Sequence, residues 1–256
     1  EAVPSAMRHT TKMIWIETPT NPLLRVFDIE ALSRMAHAQG AITVVDNTFA
    51  TPLLQRPLAL GADIVVHSMS KYLNGHSDVV AGAVISNHEE ASERLRFIQR
   101  AGGAVPSPFD CYLVARGIKT LPLRIARHCE SALELASWLR EHQRVSAVYY
   151  PGLEDHPEHA LAARQMEAFG GMLSFEVDGG MDGARAVLER VALFSLAESL
   201  GGVESLIGQP ALMSHVSMPE AMRRAHGIAD GLVRLSVGLE DVEDLREDLE
   251  RALNSP

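Results

Sequence analysis

The chain of 256 residues is 46% hydrophobic and 22% charged, and its 23 Lys and Arg against 33 Asp and Glu give a net charge of -10. This composition is typical of a globular protein with a large core, and the acidic balance argues against a nucleic-acid partner. No apolar run approaches the roughly 20 residues that span a bilayer, no signal-peptide pattern opens the chain, and two cysteines are too few for a disulfide framework. We therefore expect a cytoplasmic protein with free thiols and no membrane partner.

The first part of the chain alternates predicted strands and helices. Asp28 is a candidate N-cap for a helix that ends near Gly40, and a shorter helical stretch surrounds LLQRPLALG. Apolar strands at this spacing predict a parallel sheet that helices cover on both faces. The predicted strands are KMIWIE (12–17), AITVV (41–45), DIVVH (63–67) and AGAVI (81–85).

Polar residues follow three of these strands. Glu17 ends the first strand, Asp46 the second, and a turn with Ser68, Ser70 and Lys71 follows the third. Because ligands of open α/β sheets bind outside the carboxyl ends of the strands, we expect one ligand site here. A lysine that burial or neighbouring groups make nucleophilic can form a Schiff base with an aldehyde cofactor. Pyridoxal phosphate also requires a carboxylate for its pyridine nitrogen and donors for its phosphate, which the aspartate and the serines can supply.

Each of these residues also has an ordinary structural interpretation. A single lysine is most often a solvated surface residue, a strand-end aspartate often forms a turn, and serines often cap helices. The conjunction of all of them at one sheet edge favours a cofactor site.

Beyond residue 118 the pattern changes to longer helices and a second, smaller sheet. The segment 111–142 is mostly helical in pattern, with Pro122 as a boundary or kink. We therefore predict two domains, residues 1–118 and 119–256. Further strands are predicted at SAVYYP (146–151), GMLSFEV (171–177) and LVRLSVG (232–238), and further helices at EHALAARQMEAFG (158–170), GARAVLERV (183–191) and VEDLREDLERAL (242–253).

Six motifs along essentially the whole chain resemble the Cys/Met-metabolism pyridoxal-phosphate enzymes. They are WIETPTNP (15–22), VVDNTFATP (44–52), PLALGADIVVHSMSKYLNGHSDVVAG (57–82), RGIKTL (116–121), LAESLGGVESL (196–206) and RLSVGLED (234–241). The resemblance implies an α/β chain of the aspartate-aminotransferase-like fold type I. Residues 1–118 would be the C-terminal part of a large, mostly parallel cofactor domain, and 119–256 a smaller α+β domain. It also implies a homo-oligomer, a dimer of dimers, and an N-terminal segment with further cofactor-binding residues before the point where this sequence begins.

The resemblance also implies roles in binding pyridoxal 5'-phosphate. Lys71 would hold the cofactor covalently and later move protons, and Asp46 would pair with the pyridine nitrogen. Asn21 would hydrogen-bond the phenolic oxygen, and Ser68 and Ser70 would bind the phosphate. The family commonly has threonine in place of Ser70, and serine keeps the hydroxyl.

Three further residues match substrate-binding positions. Arg234 matches the arginine that binds the substrate's α-carboxylate, for which a planar, bidentate donor is suited. Ser205 matches a backbone contact to the substrate, and Glu204 resembles a residue that contacts its distal end. Considered alone, an arginine in a strand is equally well explained as a surface residue.

The resemblance predicts a lyase or transferase that acts on a sulfur-containing or homoserine-derived amino acid. NGHSDVVAG together with LAESLGGVESL resembles the cystathionine γ-lyase and γ-synthase branch more than the methionine γ-lyase branch, in which glycine is expected in place of Ser77. We expect γ-elimination of L-cystathionine; the alternatives are γ-replacement on an activated homoserine, the methionine γ-lyase reaction, and a catalytically silent scaffold.

Other candidate sites have simpler explanations. His156 and His159 are spaced for a metal, but a polar loop explains them better, so no metal site is expected. A nucleotide site is disfavoured because the chain has no GxGxxG or GxxxxGK[ST] loop.

Overall fold

A four-stranded sheet forms the first half of the computed structural model, which describes residues 2–254. Strands β1 to β3 are parallel, as predicted, whereas β4 runs antiparallel to β3. The strands lie in the order β1-β2-β3-β4, with bounds β1 (Met13–Glu17), β2 (Ile42–Asp46), β3 (Ile64–Ser68) and β4 (Gly82–Ser86).

Helical segments connect these strands. The Asp28 side chain accepts a hydrogen bond from the Ala31 N–H, which confirms the predicted N-cap. The buried Ile29 packs with Ile16 and Val45 against one face of the sheet. The segments are α1 (Ala2–Ala6), α2 (Ile29–Ala38), α3 (Thr51–Leu54) and a 3₁₀ turn (Pro57–Leu60).

The opposite face of the sheet is only partly covered. Trp15 and Val84 lie on this face, and their exposed fractions are 56% and 50%. Within residues 2–254 the predicted cover of both faces is therefore incomplete at the outer strands β1 and β4, whereas Val44 in the central β2 is buried.

The segment predicted as one long helical stretch is divided. Helix α5 (Pro108–Ile118) ends before Lys119, and α6 (Leu121–Glu141) begins after Thr120, with α4 (Glu89–Gly102) preceding both. Pro122 lies in the first turn of α6, where a missing N–H breaks no helical hydrogen bond. The division into domains at residue 118 falls at this junction and stays a prediction.

A five-stranded, mostly antiparallel sheet forms the remainder, in the order β5-β6-β9-β8-β7. Leu235 and Phe175 are fully buried in its core together with Leu135 of α6. No helix within residues 2–254 has the length and apolar character needed to cross a bilayer. The elements are β5 (Val145–Tyr149), α7 (His159–Gln165), β6 (Met172–Val177), α8 (Gly180–Arg190), β7 (Ser195–Leu196), β8 (Leu206–Gly208), α9 (Glu220–Ala225), β9 (Leu232–Ser236) and α10 (Val242–Asn254).

Candidate active site

Lys71 lies in a short π-helical turn (Met69–Leu73) that directly follows β3. We call residues 69–75 the lysine turn. Its backbone departs from helical geometry at Lys71 itself, with φ -102° and ψ -138°. Single π-turns are frequent at functional sites. The Lys71 Nζ donates a hydrogen bond of 2.8 Å to the Ser199 Oγ, which belongs to the loop after β7.

The electrostatic surroundings favour a neutral Lys71 amine. Burial lowers the pKa of Lys71, and the positive charge of Arg234 lowers it further, while Glu198 acts in the opposite direction. A lysine with a lowered pKa has more of its amine in the unprotonated form near neutral pH, which a nucleophile or a base requires.

Arg234 joins three parts of the chain beside this lysine. It lies in β9 with an exposed fraction of only 8%. Its Nη1 donates to the Asn21 Oδ1 and its Nη2 to the Ser199 carbonyl, each at 2.9 Å. Burial lowers the pKa of Arg234, but guanidinium groups remain charged in proteins. The structure thus brings together the predicted residues Asn21, Lys71 and Arg234.

Asp46 ends β2 and lies in register beside Glu17 of β1. One oxygen of the half-buried Asp46 carboxylate accepts the Thr48 N–H at 3.0 Å, and within residues 2–254 the other has no hydrogen-bond partner. Burial raises the pKa of Glu17, the Asn21 N–H at 2.8 Å lowers it, and the Asp46 charge raises it again. The carboxylate predicted to meet a ring nitrogen therefore has a free oxygen at the carboxyl edge of the sheet.

The two serines predicted to bind a phosphate differ in their contacts. The Ser68 N–H donates to the Thr48 Oγ1 at 2.9 Å, and the Ser68 hydroxyl has no protein partner in the described part of the chain. The Ser70 Oγ accepts the Ala81 N–H at 3.0 Å and donates to the Ala81 carbonyl at 3.4 Å. Ser68 therefore offers a free hydroxyl, whereas Ser70 helps to fix the lysine turn against Ala81, the residue before β4.

The predicted contact at Ser205 requires a correction. Ser205 is fully buried, its N–H and hydroxyl donate to Glu240 at 2.7 and 2.8 Å, and its Oγ accepts the Gly238 N–H. Its carbonyl accepts the Ser195 N–H at 3.0 Å. Every polar atom of Ser205 therefore has a protein partner within residues 2–254, and the serine that contacts Lys71 and Arg234 is Ser199.

The motif LAESLGGVESL explains this difference, because it contains two Glu-Ser pairs. The prediction chose the second pair, Glu204 and Ser205. The structure places the first pair, Glu198 and Ser199, beside the lysine, while Glu204 accepts a hydrogen bond from the Ser77 hydroxyl. The sequence prediction therefore missed three residues of the site, Glu198, Ser199 and Thr48. The repeated Glu-Ser pair is the sequence feature that could have indicated Glu198 and Ser199, and no sequence feature indicated Thr48.

The arrangement fits pyridoxal phosphate in the chemistry of its donors. It combines an amine with a lowered pKa, a strand-end carboxylate with a free oxygen, and an unpartnered serine hydroxyl. Lys71 would attach the cofactor, Asp46 would meet the pyridine nitrogen and Ser68 the phosphate.

No group of three or more His, Cys, Asp or Glu side chains among residues 2–254 could hold a metal ion, and the His159 Nδ1 lies 2.8 Å from the Pro151 carbonyl.

A mostly parallel sheet with a lysine turn at its carboxyl edge, joined to a second, mostly antiparallel sheet that supplies an arginine, defines the fold type I class of pyridoxal-phosphate enzymes. The model of the Cys/Met metabolism PLP-dependent enzymes matches residues 1–254, and the chain belongs to that family.

Relatives with three different activities resemble the chain to a similar degree. It is 53% identical over 252 residues to a cystathionine β-lyase of Coxiella burnetii and 52% identical over 250 residues to a cystathionine γ-lyase of Dictyostelium discoideum, in each case over 98% of this chain and 65% of the relative. A solved cystathionine γ-synthase from Xanthomonas oryzae pv. oryzae in complex with cystathionine is 52% identical, with a TM-score of 0.92 over 94% of this chain and 62% of that one. The chain therefore spans just under two thirds of the length of these relatives.

Proposed function

We propose that the protein containing this chain is a pyridoxal-phosphate lyase or transferase of sulfur amino acids, and that its reaction is the γ-elimination of L-cystathionine to cysteine, 2-oxobutanoate and ammonia. The observation that carries the proposal is the contact of Lys71 with Ser199, whose carbonyl is in turn bound by Arg234. This contact supports a site at which Lys71 would act as the base and Arg234 would bind a carboxylate.

Arg234 would hold the α-carboxylate of the amino acid. Its guanidinium is almost fully buried, and its present partners are neutral oxygens of Asn21 and Ser199 rather than a carboxylate. Charge-assisted bonds to a carboxylate are stronger than bonds to neutral acceptors, so a substrate carboxylate would compete effectively for these donors.

Lys71 would transfer protons on the substrate. When bound, pyridoxal phosphate supplies an electron sink that stabilises the negative charge left at the α-carbon after proton removal. The Lys71 Nζ would accept the α-proton, and its lowered pKa increases the fraction of neutral amine that is available for this step. Ser199 would hold the amine in place through its hydroxyl.

Glu198 supports a substrate with a second amino group. Its charge acts on both Lys71 and Arg234, and its side chain is exposed beside them. A carboxylate at this position would attract the distal ammonium group of cystathionine, whereas the sequence prediction gave the contact with the distal end of the substrate to Glu204. Ser77, the residue that the resemblance sets against the methionine γ-lyase branch, donates its hydroxyl to Glu204.

The γ-replacement reaction on an activated homoserine is the competing proposal. Sequence identity does not favour either reaction, because the β-lyase, γ-lyase and γ-synthase relatives lie within one percentage point of each other. Incubation with cystathionine alone tests the choice: release of 2-oxobutanoate supports elimination, whereas turnover only with cysteine and an acylated homoserine supports replacement.

Absorbance between 300 and 500 nm, before and after borohydride reduction, tests the proposal most directly. A band that reduction abolishes, with a pyridoxyl group mapped to Lys71, is the expected result. A protein that shows no band after addition of pyridoxal phosphate would instead support the silent scaffold.

The proposal also includes a homo-oligomer, a dimer of dimers. Light scattering would measure the molar mass of this assembly.

A further inference from the structure

Arg124 is a buried cation without a counter-ion. Its exposed fraction is 4%, and within residues 2–254 it forms no salt bridge. Burial lowers the pKa of Arg124, so the charge is held in an unfavourable environment. Removing such a group from water is costly unless its donors are used. The N–H groups of Arg124 donate hydrogen bonds to the lysine turn and to the C-terminal end of α5.

Three hydrogen bonds connect Arg124 with this region. Its Nη1 donates to the Tyr72 carbonyl at 2.8 Å, its Nη2 to the Gly117 carbonyl at 2.9 Å, and its Nε to the Thr120 Oγ1 at 3.1 Å. Tyr72 directly follows Lys71, so one of these bonds fixes the peptide between Tyr72 and Leu73, one residue beyond the lysine.

The Tyr72 carbonyl depends on this contact. Within the lysine turn, the Asn74 N–H binds the Met69 carbonyl at 3.2 Å and the Gly75 N–H binds the Lys71 carbonyl at 2.8 Å. In the described part of the chain no backbone N–H binds the Tyr72 carbonyl. Because a buried, unpaired carbonyl is unfavourable, loss of Arg124 would favour a different conformation of the turn.

Two glycines allow the close approach. A Cβ at Gly75, where φ is +78°, would overlap the Arg124 guanidinium, and a Cβ at Gly117 would overlap the Asn74 carbonyl. Backbone from the lysine turn therefore lies directly against α5, and Arg124 bonds to both segments.

We propose that Arg124 is a positioning residue for Lys71. Its guanidinium ties the Tyr72 carbonyl to the junction of α5 and α6, and in this way sets the place at which the turn presents the Lys71 Nζ to Ser199 and to the cofactor. The inference rests on the proposed function in one respect, namely that Lys71 attaches pyridoxal phosphate.

The test compares the R124Q and R124K variants with the parent after addition of pyridoxal phosphate. The measured quantities are the rate of borohydride-trappable attachment to Lys71, the pH at which the absorbance band is half lost, and the melting temperature. We expect attachment to slow by about tenfold or more in R124Q and the pH midpoint to shift. R124K should lie between R124Q and the parent, because one ammonium group cannot bond both carbonyls in the geometry of the guanidinium fork.

R223K is the matched control. Arg223 is also buried, with an exposed fraction of 9%, and it also donates to a backbone carbonyl, that of Met218, at 2.9 Å. Its replacement loses a buried guanidinium away from the lysine turn, so the attachment rate and the pH midpoint should stay at the parental values even if the melting temperature falls.

Gly117→Ala provides a second variant should R124Q fail to fold. It keeps the guanidinium but pushes the Asn74 carbonyl away, so it should reproduce the slower attachment. Parental attachment rates and pH midpoints in the Arg124 variants and in Gly117→Ala would overturn the positioning role, whatever the melting temperatures. A parent that traps no cofactor on Lys71 would overturn the proposed function itself, and the two failures are therefore distinguishable.

Discussion

The Lys71 Nζ donates a hydrogen bond of 2.8 Å to the Ser199 Oγ, although 128 positions separate the two residues in the chain. Ser199 adopts a φ of +88°, a conformation that is unusual for a residue with a Cβ. Its carbonyl accepts a hydrogen bond from Arg234, and the Gly201 N–H donates to the Ser236 Oγ at 2.8 Å. The loop after β7 is thus held against β9 in the conformation that reaches the lysine, and strained residues of this kind cluster at functional sites.

Ser199→Ala and Ser205→Ala should have opposite consequences. Loss of the Ser199 hydroxyl removes the hydrogen bond to Lys71, so trapping of pyridoxal phosphate on Lys71 should slow several-fold with little change in stability. Loss of the Ser205 hydroxyl leaves a Glu240 oxygen and the buried Gly238 N–H without a partner, which should cost about 1–3 kcal/mol of unfolding free energy while trapping stays normal.

Trapping kinetics and urea denaturation of both variants check this prediction. The reverse result, with slow trapping in Ser205→Ala and normal trapping in Ser199→Ala, would restore the assignment based on the second Glu-Ser pair.

Arg234→Gln and Glu198→Gln should shift the titration of Lys71 in opposite directions. The positive charge of Arg234 lowers the pKa of Lys71, and the negative charge of Glu198 raises it. Without Arg234 the amine should become neutral only at higher pH, and without Glu198 at lower pH. The pH dependence of cofactor trapping measures both shifts, and shifts of equal sign would contradict the electrostatic account.

Arg234→Gln should also weaken substrate binding, and Arg234→Lys is its matched control for charge. Hydrogen bonds to charged groups contribute about 1.5–3 kcal/mol, so kcat/KM should fall by roughly 10- to 100-fold in Arg234→Gln. Arg234→Lys keeps the charge but not the planar fork and should retain part of the activity. An unchanged KM in both variants would remove Arg234 from the carboxylate site.

Asp46→Asn tests the carboxylate at the end of β2. The amide keeps the size of the side chain but not its charge, so turnover should drop by about 100-fold or more if Asp46 maintains a protonated pyridine nitrogen. Because the Asp46 charge also raises the pKa of Glu17, this pKa should fall in the variant. Steady-state kinetics check the first expectation, and full turnover in Asp46→Asn would exclude the assigned role.

Glu17→Gln should alter the pH dependence of stability. The pKa of Glu17 is raised above its ordinary value of 4.5, so between that value and the raised one the folded state binds more protons than the unfolded state. Stability therefore falls as the pH rises through this window. Glutamine removes the titration but keeps an oxygen that can accept the Asn21 N–H, so the variant should show a flatter profile there. Denaturation between pH 4 and 7 measures it, and an identical slope in both proteins would contradict the prediction.

Much of the fold could be predicted from the sequence because its signals are local. Apolar runs of strand length correspond to β1 to β3. The N-cap of α2 was predicted from the residue type of Asp28 and from its position directly before the helical pattern. Asp46 and Lys71 were predicted as site residues because Asp46 ends one strand and Lys71 lies in the turn after the next, and the carboxyl ends of parallel strands lie at one edge of the sheet.

Other features depend on pairings that no local pattern records. The direction of β4 follows from its antiparallel register with β3, in which Ser68 lies opposite Gly82. The helical pattern from α5 to α6 is continuous in the sequence, yet the helix is interrupted between Ile118 and Leu121. The Arg124 guanidinium donates a hydrogen bond to the Gly117 carbonyl next to this interruption.

The sequence by itself determined the family and predicted the lysine, the strand-end carboxylate and the arginine, because these residue types occur in long and specific motifs. Only the tertiary structure decided which of the two Glu-Ser pairs contacts Lys71. It also decided that Arg124 donates a hydrogen bond to the carbonyl of Tyr72, the residue after Lys71. The physical reason is distance along the chain. These contacts join residues 52 to 128 positions apart, and they exist only after two sheets and the helix between them have packed together.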